Sequence, residues 1–443
     1  MLRLPEYLAS RLPFFYGYVV AFLAVWALVC SSPGQTFAIM AFGPLLKKEL
    51  GISDTQLSLA YMLGTALAAI PLSFVGPLSD RIGLRKTTIF VAIGLSLACV
   101  FMSFAQGFVT LLAGFMLLRW LGQGAMSLLP GNIVSMWFRD KLGRINGAMA
   151  VGIAAAFGLV PGLLIRSNDS FGWRNTYLLM GAFVALTLIP LLILLLRNHP
   201  EDLGLLPDGK EGQANESDEL HGQESDAPPE GDREISLTLS EAASGRALWI
   251  LGAGMLLWAL CGTGVIFFAI DVFGSFGIPK EEVQWMFTTF SSVMLASQLL
   301  GGILADRYPA NILLSSGFCF LAAGACIVPL TTGPIHMHLF ALAFGAGQGL
   351  LIVTSATVWV RYYGTKHLGK IRGTIWCTTV AGSGCGPALL GFLKDSYASF
   401  LPGLWLFAAL LLPLGPLMLL ATPPVPKGRG SEAEESSHEA GTV

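Results

Sequence analysis

Twelve long apolar stretches, separated by polar segments, constrain this 443-residue chain more than any other feature. A helix needs about 20 mostly apolar residues to cross a lipid bilayer, and these stretches reach that length. Only 12% of the residues are charged, against about 25% in soluble domains, so the chain cannot form a water-exposed surface of ordinary polarity. The sequence therefore predicts an all-α membrane protein, in which helices satisfy the backbone hydrogen bonds within lipid.

The predicted helices form two groups of six. The first group spans residues 14–40, 54–77, 86–106, 108–136, 145–166 and 174–196. The second group spans residues 247–272, 282–305, 310–330, 337–360, 371–392 and 398–421. Two six-helix bundles are therefore predicted over 1–196 and 246–422. The polar residues 197–245 and 423–443 are predicted to be a disordered cytoplasmic linker and a disordered cytoplasmic tail.

The basic residues predict the orientation in the membrane. With both termini inside, 19 of the 26 Lys and Arg residues fall in inner segments, six fall in outer segments, and Arg119 falls within a span. Cytoplasmic loops carry an excess of Lys and Arg. We therefore expect a multi-pass protein with both termini in the cytoplasm. Its expected location is the plasma membrane, or the inner membrane in a cell that has two membranes.

The two groups of helices repeat one another in sequence. Gly76-Pro-Leu-Ser-Asp80-Arg81 recurs 226 positions later as Gly302-Ile-Leu-Ala-Asp306-Arg307. Three further pairs recur at the same or nearly the same spacing: Gly122-Gln123-Gly124 with Gly347-Gln348-Gly349, Gly143-Arg144-Ile145 with Gly369-Lys370-Ile371, and Gly158 and Pro161 with Gly384 and Pro387. Such order predicts two copies of one six-helix unit, with a cavity where they meet near the bilayer midplane.

Two of these motifs resemble signatures of the major facilitator superfamily. The run Gly76-Pro-Leu-Ser-Asp80-Arg81-Ile-Gly83-Leu-Arg85-Lys86 resembles its loop between the second and third helices, and Arg119-Trp-Leu-Gly122-Gln123-Gly124 resembles its fourth-helix signature. The resemblance covers nearly the whole chain apart from the linker and tails. Within the superfamily, the run from Pro200 to Gly209 resembles the monocarboxylate and oxalate–formate transporter branch.

The resemblance implies a gating role for the loop signature in both halves. In the superfamily, the matching aspartate and arginines latch the two halves on the inner side while the cavity faces out. The residues that carry this expectation are Gly76, Asp80, Arg81, Gly83, Arg85, Asp306 and Arg307. The alternative interpretation is a turn whose positive charge only sets the topology.

Two ionisable residues have candidate roles within the predicted spans. Arg119 lies about eleven positions into the fourth helix, where a charge costs about 2.5–3.5 kcal/mol on insertion scales and should face a polar interior. It would bind a substrate anion or sense a neighbouring acid, or else be a structural arginine satisfied by carbonyls and Gln123. Asp271 is the best-placed candidate for proton coupling, and the alternative is a hydrated residue at a helix end.

Neutral polar and aromatic residues are predicted to line the cavity together with Arg119. They are Gln35, Gln123, Ser291, Gln298, Gln348, Trp376 and Thr379. Each polar residue could instead form a helix–helix hydrogen bond, which is worth about 0.6 kcal/mol. The branch typically has a lysine in the first helix and an Asp–Arg pair in the eighth, and this chain has neither, so a monoanion or a neutral solute fits better than a dianion.

These observations predict a secondary transporter that moves a small organic solute, with a monocarboxylate as the first expectation, by alternating access and with proton coupling. The alternatives are a proton-coupled exporter of amphipathic metabolites or drugs, and a transport-dead receptor of the same fold. We find no nucleophile–base motif, nucleotide-binding loop or metal-ligand set, so we expect neither an enzyme nor a cofactor or metal. The expected partners are a small solute, protons and lipid, without nucleic acid, and the expected oligomeric state is a monomer.

Overall fold

The computed structural model describes residues 4–209, 237–305, 307–364 and 368–424. Ten helices in this part of the chain are long and apolar enough to cross a membrane. One of them, Leu142–Leu195, makes two passes, because the backbone turns at Gly172 and brings the Ser167 and Thr176 hydroxyls within 3.0 Å. The 30-residue helix Leu368–Tyr397 completes a set of twelve. The predicted twelve-helix all-α fold is thus confirmed.

We number the twelve membrane-spanning helices in chain order. In the first half, α1 is Gly17–Cys30, α2 is Asp54–Ile82, α3 is Leu84–Ser103, α4 is Phe108–Trp137, α5 is 142–171 and α6 is 173–195. In the second half, α7 is Arg246–Phe267, α8 is Lys280–Ala305, α9 is Ala310–Ile327, α10 is Pro334–Tyr363, α11 is Leu368–Tyr397 and α12 is Leu401–Leu419. The membrane face at which α1 begins and α12 ends is called the terminal face, and the other is called the opposite face.

The first helix is shorter than the predicted span 14–40. It ends at Cys30, and the hydroxyl of Ser31 donates to the carbonyl of Leu28 at 2.6 Å. A 3₁₀ turn follows at Ser32–Gly34, because Pro33 cannot donate a backbone hydrogen bond. Helical structure resumes at Thr36–Ile39 and, on the opposite face, at Gly43–Leu50. The break leaves backbone carbonyls in the membrane interior available to other partners.

Glycine is required where the turn between α5 and α6 is made. Gly172 has φ 77° and ψ 159°, a conformation that side chains with a Cβ rarely adopt. The prediction placed the two helices at 145–166 and 174–196, whereas the first of them continues to the turn itself. Elsewhere the predicted boundaries differ from the structure by a few residues.

The two halves contact each other along α5 with α8 and along α2 with α11. In the first contact, the Thr288 hydroxyl donates to the carbonyl of Gly158 at 3.2 Å, and the Phe157 ring lies 5.0 Å from the Phe290 ring. In the second, the backbone N–H of Thr55 on α2 donates to the Asp395 carboxylate on α11 at 2.8 Å, and the Tyr61 ring of α2 also lies 4.7 Å from the Phe267 ring of α7. These residues lie toward the opposite face, so the space between the halves is closed on that side.

The same helices leave open space toward the terminal face. A Cβ placed on Gly147 of α5 or on Gly373 of α11, which are related by the 226-residue repeat, would meet no atom within 4 Å. Phe74 and Leu78 near the end of α2 are exposed. The cavity between the halves therefore opens toward the terminal face.

Both ends of the segment 197–245, predicted to be a disordered linker, are folded. Short helices occupy Pro200–Leu203, Pro207–Gly209 and Leu239–Ser244. The last of these begins with a capping box between Thr238 and Glu241, and the backbone N–H of Leu237 donates to the carbonyl of Tyr363 at 3.1 Å. Residues 210–236 of the predicted linker, and 425–443 of the predicted tail, lie outside the described residues.

Candidate functional site

Arg119 lies in the interior of the first half, where only 4% of its surface is exposed. Its Nε donates to the Thr65 hydroxyl at 3.1 Å, and its Nη1 donates to the Gly34 carbonyl at 3.3 Å and to the Thr36 hydroxyl at 3.4 Å. The guanidinium also lies 4.8 Å from the centre of the Tyr61 ring. The described contacts of Arg119 are thus hydroxyls, a carbonyl and an aromatic face.

Two helix irregularities place the Arg119 side chain there. The segment Arg119–Ala125 of α4 is a π-helix, a form that often marks functional sites. It packs against the break in α1 so closely that a Cβ on Gly34 would lie 2.1 Å from the Leu118 carbonyl oxygen. This contact brings the Gly34 carbonyl, which the broken α1 leaves available, within reach of the guanidinium.

Gln35, which follows the 3₁₀ turn after α1, and Gln123 on α4 were both predicted to line the cavity and lie close to this site. The Gln35 amide nitrogen donates to the hydroxyls of Ser31, at 3.1 Å, and Ser127, at 3.2 Å. The Gln123 amide oxygen is buried and has no hydrogen-bond partner among the described residues. Of the structural alternative for Arg119, the carbonyl contact is present, at Gly34, but the contact with the Gln123 oxygen is not.

In the second half, Gln348 takes part in a polar contact between two helices. Its amide oxygen accepts a hydrogen bond from the indole of Trp258 at 3.4 Å. Gln298 is buried, and the Thr379 hydroxyl donates to the carbonyl of Ile375 in its own helix at 2.9 Å. Among these three predicted cavity residues of the second half, Gln348 is thus the one that the described hydrogen bonds join to another helix, α10 to α7.

Ser291 lies at the contact between α5 and α8. Its side chain is buried, and a Cβ on Gly158 would lie 2.2 Å from the Ser291 hydroxyl oxygen. The hydroxyl donates to the Thr288 carbonyl at 3.1 Å. This position favours a role for Ser291 in packing between the halves, and not the predicted role in substrate binding.

Trp376 lies near the terminal end of α11, with 69% of its surface exposed. Together with Arg372 and Gly373 it lines a cavity of about 360 Å³. An exposed indole and a guanidinium one helical turn apart present an apolar face beside a positive charge. Such a surface suits a solute with an apolar body and a negative group.

Asp271 forms an ion pair between the two halves. Its carboxylate oxygen lies 2.9 Å from the Lys47 ammonium, and the same ammonium lies 2.5 Å from the Asp54 carboxylate. The side chains of Lys47 and Asp271 are only 17% and 20% exposed. Asp271 is therefore a paired residue at the opposite face and not a freely hydrated helix end.

The loop signature between α2 and α3 owes its shape to Gly83 and Arg85. Gly83 has φ 90°, and a Cβ there would lie 2.9 Å from the Asn198 side chain. The Asn198 oxygen accepts from the Arg85 backbone N–H at 2.9 Å, and the Arg85 guanidinium donates to the Ile193 carbonyl at 2.6 Å. This part of the signature therefore joins the loop to the end of α6.

The remaining residues of the predicted gate are exposed at the terminal face. Asp80, Arg81 and Arg307 are exposed to solvent, and a Cβ on Gly76 would meet no atom within 4 Å. Asp306 lies outside the described residues. A gating role for this set stays a proposal.

Asp208, in the run that resembles the monocarboxylate branch, holds the loop between α4 and α5. Its carboxylate accepts from the backbone N–H groups of Arg139, Asp140 and Lys141 at 3.0, 2.9 and 3.2 Å. Burial raises the pKa of this carboxyl group, but the three backbone donors and the Lys141 ammonium outweigh it, so its pKa lies below the ordinary value. In this structure the resembling run has an architectural role at the terminal face.

Four residues that contact the predicted ones across helices were not predicted from the sequence. Tyr61 and Thr65 on α2 complete the surroundings of Arg119, Trp258 holds Gln348, and Lys47 holds Asp271. Lys47 could have been found from the sequence, because a charged residue close to an apolar run indicates a possible ion pair. The others are ordinary residues of apolar helices, and their contacts depend on the packing of the halves.

The fold and its interior polar site define a multi-pass membrane transporter built from two six-helix halves. The sequence model of the Major Facilitator Superfamily matches residues 15–275 and again 260–442. The chain belongs to this superfamily, and it is a transporter of small solutes and not an enzyme.

Individual relatives match most of the chain at low identity. The uncharacterized MFS-type transporter YhjX of Escherichia coli (strain K12) is 23% identical over 360 residues, which is 80% of this chain and 82% of that protein. The glycerol-3-phosphate transporter of Bacillus subtilis (strain 168) is 22% identical over 423 residues, or 88% of each chain. The crystal structure of a bacterial homolog of the human lysosomal transporter Spinster, inward-facing and unoccupied, shares the fold with a TM-score of 0.67, 16% identity, and coverage of 92% of this chain and 97% of that chain.

Proposed function

We propose that this chain is a secondary active carrier of a small monocarboxylate, which it moves by alternating access and couples to protons. The observation that carries the proposal is the enclosed guanidinium of Arg119, whose described contacts include no carboxylate. A charge at this depth is costly, and an anionic solute that reached it would offset the cost. Among the described residues, Arg119 is the Lys or Arg that lies deep within a span and away from a helix end, which suits a solute with a single negative charge.

Alternating access is supported by the different states of the two faces. The halves meet at the opposite face, through α5 with α8 and α2 with α11, and leave the cavity open at the terminal face. The excess of basic residues favours a cytoplasmic terminal face, so this conformation would be open to the cytoplasm. Rocking of the halves about the site would open the other side.

Proton coupling is assigned to Asp271 as a proposal. The carboxylate joins the halves through Lys47 in the present conformation, and separation of the halves would leave it without that partner. A carboxylate that loses its cation in a partly buried place binds a proton more readily. The closure of one face and the charge of Asp271 would thus be linked.

A second candidate function rests on the cavity at Trp376. The exposed indole beside Arg372 favours a larger amphipathic anion over a compact one. An exporter of such metabolites or drugs would use this surface at the cytoplasmic mouth. Substitution of Trp376 separates the two functions, because a compact monocarboxylate makes little use of an indole face.

The test is solute uptake into proteoliposomes that hold the purified protein, with and without an inward proton gradient. The probes are radiolabelled lactate, pyruvate and benzoate, with glycerol as a neutral control, and the variants are Arg119→Gln and Trp376→Ala. We expect gradient-dependent lactate or pyruvate uptake that falls at least about tenfold in Arg119→Gln, since hydrogen bonds to charged groups are strong.

Each outcome assigns a function. Uptake of benzoate alone, reduced by Trp376→Ala, would favour the amphipathic exporter. Uptake of glycerol alone, unaffected by Arg119→Gln, would contradict an anion site at Arg119. Tight binding of a probe without any flux would indicate a receptor of the same fold.

A further inference from the structure

Two aspartates at the opposite face each join one half of the molecule to the other. Asp169, near the end of α5, pairs with Lys280, the first residue of α8. Asp395, near the end of α11, accepts a hydrogen bond from the backbone N–H of Thr55 at the start of α2, at 2.8 Å. In both cases a carboxylate at the end of one helix contacts the beginning of a helix in the other half.

The two contacts are related by the internal repeat. Asp169 and Asp395 are 226 positions apart, the spacing of the repeated motifs, and so are Asp54 and Lys280 at the starts of α2 and α8. The partners differ chemically, because α8 presents a lysine and α2 presents backbone N–H groups. The acidic residue is common to both halves, so it is the constant part of the arrangement.

The chemistry of a helix start explains why a carboxylate is placed at each contact. The first N–H groups of a helix have no partner within the helix and carry a partial positive charge. Asp395 satisfies one such group on α2, and Lys280 adds a full positive charge at the start of α8. Each aspartate is therefore attracted to the opposite half as long as this face is closed.

Exposure makes these contacts reversible. The Asp169 and Lys280 side chains are 47% and 41% exposed, and Asp395 is also exposed. Water can therefore hydrate all three groups when the halves separate, which keeps the cost of breaking the contacts small. The Lys47 and Asp271 pair differs, since it is mostly enclosed.

We propose that Asp169 and Asp395 form a repeat-related pair of latches that hold the opposite face closed. The inference rests on the proposed alternating access and adds the residues that set its equilibrium at this face. The loop signature places Asp80 near the end of α2 at the terminal face, and the latch aspartates lie near the ends of α5 and α11 at the opposite face. The two sets lie on different helices and at different faces.

The test measures distances between spin labels in the full-length protein. One label pair, at Lys48 and Thr332, reports on the opposite face, and another, at Lys86 and Tyr308, reports on the terminal face. All four positions are exposed. The labels need a background in which Cys319, Cys326, Cys377 and Cys385 are replaced, while the buried Cys30, Cys99 and Cys261 are kept.

The variants are Asp169→Asn, Asp395→Asn and the two combined, with Glu281→Gln as the matched control. Glu281 is an exposed acid beside Lys280. Its substitution by Gln removes one negative charge, as the latch variants do, but leaves both latch contacts intact. We expect each latch variant to raise the population with a long 48–332 distance and a short 86–308 distance by roughly two- to fivefold, as befits an exposed ion pair. The double variant should exceed either single one, and Glu281→Gln should leave both distances unchanged.

Unchanged distances in the double variant would overturn the inference. If the double variant does not fold, the exchange of Asp169→Lys with Lys280→Asp tests it instead, because the pair restored in reverse should return the wild-type distances. The measurement needs no solute. Latch variants that shift the distances in a protein without flux would therefore refute the proposed carrier function and leave the latches standing.

Discussion

Lys47 of the first half lies 2.9 Å from Asp271 of the second half, and this contact crosses the interface at the face opposite the termini. The same ammonium lies 2.5 Å from Asp54 at the start of α2. One lysine therefore neutralises a carboxylate from each half. When the halves separate, Lys47 can keep Asp54 but must release Asp271, which links the charge state of Asp271 to the opening of this face.

Removal of the Lys47 ammonium should destabilise the present conformation. Lys47→Met removes the ammonium that lies within ion-pair distance of both carboxylates, Asp54 and Asp271. We expect a loss of stability between about 1 kcal/mol, the upper range for exposed pairs, and about 3–5 kcal/mol, the range for fully buried pairs. Thermal unfolding in detergent measures it, and Lys48→Met, at an exposed neighbour, is the control. An equal loss in both variants would contradict the role of Lys47.

Two glycines of α11 should respond differently to the same substitution. A Cβ on Gly391 would lie 2.6 Å from the Ser58 hydroxyl and 2.8 Å from the backbone carbonyl of Asp54, whereas the nearest atom to a Cβ on Gly384 is 3.5 Å away, in Met62. Gly391→Ala should therefore push α11 from α2, while Gly384→Ala should gain up to about 1 kcal/mol of helix propensity. Hydrogen exchange over residues 54–62 should rise only in Gly391→Ala, and the reverse order would refute this packing.

The contact of Asp208 with the loop between α4 and α5 should stabilise the protein. Asp208→Ala leaves three backbone donors without their acceptor, and we expect a cost of about 0.5–2 kcal/mol, as for the loss of a helix cap. Thermal unfolding of this variant, with Glu201→Ala at an exposed neighbouring acid as control, measures the difference. A loss of stability no larger than that of the control would show that the loop between α4 and α5 does not depend on Asp208.

The same contact predicts a pH dependence. The pKa of Asp208 in the folded protein lies below the ordinary value of 3.8, so its stabilising contribution is fully present above that pH and is lost as the pH falls through the lowered folded value. The stability difference between wild type and Asp208→Asn should stay constant from neutral pH to about pH 5 and shrink in stronger acid. A difference that grows in acid would contradict the assignment.

Local patterns sufficed for the helices and for the division into halves. The start of α2, predicted at residue 54 from the apolar run, agrees with the structure, where Ser53 and Gln56 form a capping box. The repeat at 226 residues predicted the two halves, and the related Gly158 and Gly384 lie at the equivalent contacts of α5 with α8 and of α11 with α2. The break in α1 had a signal in Ser31, Ser32, Pro33 and Gly34, but the apolar residues around it concealed it.

The residues that surround the candidate site could not be predicted from such local patterns. The partner of Asp271 lies 224 residues earlier in the chain, and Thr65 and Tyr61 meet Arg119 from another helix. No periodicity in one helix specifies which face of a second helix it meets. Ser291 and Gln123 show the same limit, since each is polar at plausible depth and its contacts depend on the packing of neighbouring helices.

The most direct test of the central claim is counterflow. Proteoliposomes loaded with unlabelled lactate are diluted into a trace of labelled lactate, without any proton gradient. A carrier that alternates between two faces should take up the label transiently above its equilibrium level, and Arg119→Gln should abolish the overshoot. Label that merely equilibrates, at a rate independent of the internal lactate and of Arg119, would contradict both alternating access and the anion site.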